Sequence, residues 1–157
     1  MTQGVGDLVA YALVTTPQRK QEVVFTVPLE KNVEQVVVSG PKFGTVPSLE
    51  DLGGKEIYAD PLTVQYQALQ QINDKLRKEG KPQIVIKRAD EYLIEDDLVQ
   101  MANAGLIPAT VTTASRAKLW SEVLHHLTIH PQPAIASGEQ AAWALRKKQS
   151  STQAVAR

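Results

Sequence analysis

Two observations predict an α/β fold with a mainly parallel sheet flanked by helices. Short β-rich runs alternate with amphipathic segments through most of the chain, and one of those runs, Val36-Val37-Val38, is apolar at every position. Strands covered on both faces read as continuous apolar runs, and strand-helix alternation is the pattern of a parallel sheet wrapped by its own crossovers.

The elements follow in order. Asp7 to Thr16 is apolar and β-tolerant and is closed by Pro17, which predicts a buried strand and then a turn. Glu22 to Val27 is a second extended run ending at Pro28. After the polar stretch Leu29 to Asn32, Val36 to Val38 is a strand stopped by Ser39-Gly40-Pro41. Ser48 is suited to cap a short helix over Leu49 to Leu52, and Gly53-Gly54 ends it. Lys55 to Ala59 is the next strand. Thr63 to Glu79 places Ala68, Leu69, Ile72 and Leu76 on one helical face before Gly80. Ile84 to Ile86 is a strand, Glu95 to Asn103 a helix, Ala109 to Thr112 a strand, Ser115 to His125 a helix and Leu127 to Ile129 a strand. Gln140 to Lys147 suits either a helix or a strand, and Ser150 to Arg157 is a frayed polar end.

Composition bounds the function. The 157 residues are 43% hydrophobic, enough for one domain or two small lobes. Seventeen basic residues balance seventeen acidic ones, so no long-range field gathers nucleic acid or an anionic membrane. The absence of cysteine removes disulfides, thiolate metal sites and cysteine nucleophiles together. No run of about 18 apolar residues is present to span a bilayer.

Four motifs fall in one order. Gly6-Asp7, Leu13-Val14-Thr15-Thr16-Pro17-Gln18-Arg19 and Val24-Phe25-Thr26-Val27-Pro28 resemble the strand, Thr-Pro-x-Arg turn and exit of family-3 solute-binding proteins. Ser48-Leu49-Glu50-Asp51-Leu52-Gly53-Gly54-Lys55 resembles the start of that family's second lobe. Asn103-Ala104-Gly105-Leu106-Ile107-Pro108-Ala109-Thr110-Val111 is similar to a stretch in the branch found in front of lytic transglycosylase domains, the module of lytic-transglycosylase-F-like proteins. Trp143-Ala144-Leu145-Arg146-Lys147 resembles that branch's return strand.

The resemblance implies a type II periplasmic-binding-protein-like lobe with part of a second. Residues 4–30 would be part of lobe one and the first crossover, 31–133 lobe two, 134–148 the return strand and 149–157 a flexible tail. It also implies a periplasmic location. Met1 to Gly4 lacks the basic and apolar regions of a signal peptide, so either the chain is an internal piece of a longer precursor or it is not exported.

By the resemblance, Arg19 matches an arginine that clamps a ligand carboxylate through paired donors. Val14 stands where a hydroxyl residue often touches ligand, and Thr113 where an aspartate holds a ligand ammonium. Thr63, at the start of a long helix, either meets an anionic ligand group or simply caps the helix. Tyr66 either lines a cleft or packs on the sheet. Asp90, Glu91, Glu95, Asp96 and Asp97 are acidic, but the last three occupy one helical first turn, where they complement the dipole rather than form a catalytic pair. His125, His126 and His130 do not share a helix face, so a metal site is not expected, and no cofactor motif occurs. Core packing is expected of Trp120 and Trp143.

The function expected is therefore non-catalytic. One reading is a binding or regulatory module for a muropeptide or other cell-wall fragment, with a catalytic domain and membrane attachment elsewhere in the parent chain. The alternative is the receptor of an ABC-type importer for a small solute. Nucleic acid is not an expected partner.

Overall fold

A computed structural model describes residues 6–147, so the expected tail from residue 149 lies outside the described residues. The chain divides into two compact units: residues up to Val33 together with those from Gly138 onward, and Glu34–Ser137.

In the first unit, strand β1 (Leu8–Val14) and strand β2 (Val23–Phe25) both pair antiparallel with strand β8 (Ala136–Arg146), in registers that include Leu8↔Leu145 and Val24↔Leu145. The strand alternative for Gln140 to Lys147 therefore holds. Between β1 and β2 lies helix α1 (Pro17–Glu22), where a turn was expected. Thr16 caps it by accepting from the Arg19 N–H at 3.2 Å, and Pro17 occupies the first helical position, where a missing N–H costs nothing. Six residues with no buried side chain leave no apolar period to read. Trp143, expected in the core, is 38% exposed, while its neighbours Ala142 and Ala144 are buried.

The second unit is built on strand β3 (Glu30–Ser39), which pairs antiparallel with strand β6 (Ala109–Thr113) and strand β7 (Thr128–His130). Strand β4 (Glu56–Ala59) runs parallel to β6 and to strand β5 (Val85–Arg88), giving the order β3-β6-β4-β5. Side chains alternate across β3. Val37 joins Ile57, Leu69, Leu76 and Val111 beneath helix α2 (Val64–Lys78), while Val36 and Val38 join Val99 of helix α3 (Glu95–Asn103) and Ala117 of helix α4 (Ala114–Ser121). Both faces of the sheet are thus covered, which is why the valine run carries no polar residue.

Helix α2 forms as its sequence predicts. Thr63 caps it, Ala68, Leu69, Ile72 and Leu76 are buried, and basic residues crowd its last turn, where they complement the dipole. Gly80, at φ 68°, turns the chain away. Helix α4 ends at Ser121, short of the expected His125. Among the described residues no helix is long and apolar enough to cross a membrane.

Gly40 ends β3 where it passes under α3. A Cβ there would lie 2.6 Å from the Ala102 carbonyl oxygen, a backbone atom with no flexible side chain to give way. Gly40→Ala is expected to destabilise the fold by roughly 1–3 kcal/mol, the usual range for overpacking. Urea unfolding measures this, and an unchanged midpoint would contradict the close approach.

Candidate functional site

Three parallel strands ending together bring the helices that follow them to one end of a sheet, with their unpaired first-turn N–H groups outward. In the second unit this applies to β4, β5 and β6. The β4–α2 turn is fixed by its own chain: the Asp60 carboxylate accepts the Leu62 N–H at 2.9 Å, and the Asp60 carbonyl accepts the Thr63 hydroxyl at 2.6 Å. That hydroxyl in turn accepts the Tyr66 N–H at 3.3 Å. Thr63 is therefore the cap of α2, and Tyr66 packs against the core under α2.

Thr113 ends β6 and caps α4, its hydroxyl accepting the Arg116 N–H at 3.3 Å and sharing a hydrogen bond with the Ser115 hydroxyl. Val14 and Arg19 lie in the first unit. Val14 is buried, and its carbonyl accepts an N–H of the Arg19 guanidinium at 2.8 Å. The structure thus groups Val14 with Arg19 on one unit, and Thr63, Tyr66 and Thr113 on the other.

The acidic first turn of α3 does more than complement a dipole. Asp97 accepts the Ile94 N–H at 3.0 Å and caps the helix. Asp96 takes the Arg116 guanidinium in two parallel bonds of 2.9 Å and the Trp120 indole N–H at 3.0 Å, joining α3 to α4. The Arg116 contact holds the Asp96 carboxyl below the usual aspartate range. Glu95 turns inward, bonded to the Thr112 hydroxyl and to the Gln65 amide. With Asp60, Thr63, Gln65 and Thr110 it lines a cavity of about 30 Å3. Spacing alone did not separate Glu95 from its neighbours, because all three share the helix start; the signal available was Thr112, a hydroxyl on a strand buried on both faces.

A larger cavity of about 800 Å3 lies at the opposite end of the same sheet, between Gly40, Phe43, Lys55, Leu106 and His126. It is bounded by the C-terminal turn of α3, where carbonyls rather than N–H groups point outward. The candidate site is therefore placed at the β4 and β6 C-termini. Among the described residues no group of three or more His, Cys, Asp or Glu side chains could hold a metal ion.

The Asp96–Arg116 contact predicts a pH-dependent stability. A carboxyl whose folded pKa is depressed stabilises the fold above its unfolded pKa and loses that contribution as pH falls through the folded value. Asp96→Asn is expected to cost about 1 kcal/mol near neutral pH, a discounted figure for a partly exposed pair. The gap from the unaltered chain should narrow as pH falls below the ordinary aspartate range. Urea midpoints across that range test this, and a gap independent of pH would contradict it.

No protein-family model matches the sequence, and a comparison with curated proteins finds no match. Solved structures do match. The substrate-binding protein of an amino-acid ABC transporter superposes with a TM-score of 0.77 at 22% identity, covering 99% of this chain and 63% of that one. An ancestral arginine-binding protein bound to arginine gives 0.69 at 24%, over 96% of this chain and 62% of that one. A substrate-binding protein of an amino-acid ABC transporter from Streptococcus pneumoniae, bound to L-arginine, gives 0.72 at 17%, over 99% and 61%. The chain thus spans about three fifths of the length of these structures. At these identities the likeness is one of fold: the chain has the α/β, periplasmic-binding-protein-like fold of amino-acid substrate-binding proteins.

Proposed function

We propose that the chain is the ligand-binding part of a non-catalytic solute-binding protein, a receptor for a small carboxylate-bearing solute that serves an ABC-type importer outside the cytoplasm. The observation that carries this reading is the convergence of the α2, α3 and α4 N-termini at one end of the second unit, in a fold shared with amino-acid substrate-binding proteins. The second unit is read as lobe two, about 31–133, and segments 4–30 and 134–148 as part of lobe one. The start of α2 beside Thr63 receives the carboxylate, where first-turn N–H groups and the dipole favour negative charge. In the first unit, Arg19 offers a guanidinium fork suited to a ligand carboxylate, one of its terminal nitrogens held by the Val14 carbonyl.

One observation favours a second ligand class. Thr113 stands where the resemblance expects an ammonium-binding aspartate, carries no charge, and spends its hydroxyl on capping α4. An ammonium taken out of water without a counter-charge is costly, so a ligand whose amine is acylated loses less. Cell-wall peptides and muropeptides are of that kind, in keeping with the stretch Asn103 to Val111. On that reading the parent protein carries a separate catalytic domain and a membrane attachment.

Titration calorimetry with L-arginine and with N-acetyl-alanyl-alanine separates the two. The acylated dipeptide is expected to bind more tightly, and Arg19→Ala to weaken it about tenfold or more, as for loss of a charge-assisted hydrogen bond. Tight binding of L-arginine with no response to the dipeptide would establish the amino-acid receptor and remove the cell-wall reading. On either reading, purified peptidoglycan incubated with the chain is expected to release no anhydro-muropeptides; their release would overturn the non-catalytic assignment.

A further inference from the structure

The Glu95 carboxyl sits where three elements meet. One of its oxygens accepts from the Thr112 hydroxyl and the other from Gln65 Nε2 at 3.2 Å, while the Thr113 N–H also donates to the group. Gln65 belongs to the first turn of α2, Glu95 opens α3, and Thr112 and Thr113 lead into α4. Gln65 and Thr112 are themselves buried. The same carboxyl borders the cavity that Thr63 borders, which has room for about one water molecule.

The charges around it are few. From its own helix comes Asp96 and from α4 Arg116, and these two are bound to each other. From the β4–α2 turn comes Asp60, on the wall of the same cavity. Helix α2 presents the neutral Gln65, and β6 presents only the hydroxyls of Thr110 and Thr112. Burial raises the Glu95 carboxyl above its ordinary range, opposed by the Thr112 hydrogen bond and the charge of Arg116.

Protonation has a structural consequence. A carboxylic O–H is a poor acceptor, and of the three donors only the Thr112 hydroxyl can reverse freely to accept. The neutral group therefore keeps its link to β6 without adding charge, whereas the ionised group adds a negative charge to the end of the sheet that faces a ligand carboxylate.

We propose that Glu95 is a specificity-determining residue of the candidate site, its ionisation opposing the carboxylate that the α2 N-terminus receives and so making ligand binding depend on pH. The proposal rests on the solute-binding reading above, and names the group that regulates it. Stability follows the same sign: a carboxyl raised in the folded state stabilises the fold below its unfolded pKa and loses that contribution as pH rises through the folded value. By linkage, a bound carboxylate should raise the Glu95 midpoint further.

The test uses N-acetyl-alanyl-alanine, whose only titrating group is a carboxyl already ionised above about pH 5. Its affinity for the unaltered chain is expected to fall about fivefold or more, at the low end of typical coupling between sites, as pH rises from just above the ligand's own titration through the Glu95 midpoint. Glu95→Gln keeps the hydrogen-bonding shape without the charge, and should bind with the acid-side affinity at every pH. In the ligand-free chain, the 13C shift of the Glu95 carboxyl, the Gln65 side-chain amide and the Thr113 N–H should titrate with one midpoint, and Glu95→Gln should abolish it. Measurable binding with a flat pH profile, or a slope retained in Glu95→Gln, would overturn the proposal and leave the solute-binding reading standing. If the dipeptide binds at no pH and L-arginine also fails to bind, both readings fall together. Urea unfolding of Glu95→Gln confirms that the variant is folded in each arm.

Discussion

Burial of β3 on both faces is the constraint on which the second unit depends. Val36, Val37 and Val38 are all at most 1% exposed, so helices must approach from both sides. Helix α2 takes the Val37 face, and α3 and α4 take the Val36 and Val38 face. Parallel β4, β5 and β6 allow this arrangement, since each crossover returns the chain across a face. The same geometry sends the helices that follow them off one end of the sheet. Thr63, Glu95 and Thr113 meet there because of how the core is covered, and not because any local motif draws them together.

Doubly covered strands leave polar groups inside, and several of these have partners that also do positioning. Thr110 gives its hydroxyl to the Tyr58 carbonyl at 2.8 Å, and Thr112 gives its own to Glu95, so neighbouring strand positions serve the sheet and the site. At the other sheet end His130 is 2.8 Å from the Ser39 hydroxyl and tilts against the Phe43 ring, which also carries Lys55 over its face. Burial first, and the Lys55 charge second, hold this imidazole below its ordinary pKa. It therefore enters the fold as a neutral hydrogen-bonding partner, a role that the spacing of the three histidines did not disclose.

Much of the second unit was legible in the sequence, because its elements carry strong periods and stops. The four buried α2 positions, the Gly80 stop, and the strands at Val36 and Ala109 all rest on such signals. Helix α1 was not legible: Thr16 and Pro17 make a turn and a helix start look alike, and six residues with no buried side chain give nothing further to read. Trp143 misled for a related reason. On an alternating strand its side chain could face either way, and the small Ala142 and Ala144 took the buried positions. Of the site, the cap Thr63 was readable from residue type and place, whereas the capping role of Thr113 was not read, the resemblance having marked it only as a ligand position; Glu95 was not legible either, since direction within an acidic first turn is decided by tertiary partners.

That difference bears on what the site can hold. A helix N-terminus offers a general welcome to an anion, of modest strength and little selectivity. Selectivity comes from what surrounds it. Asp96 is spent on Arg116 and Trp120, Asp97 on capping α3, and Thr113 on capping α4. Glu95 is thus the acid of that turn left bordering the cavity. Being set in burial with three donors around it, it can change charge without leaving its place. On the proposal made above, an ionised Glu95 would oppose a carboxylate ligand at this end of the sheet, and its charge state would set when that end is open to an anion.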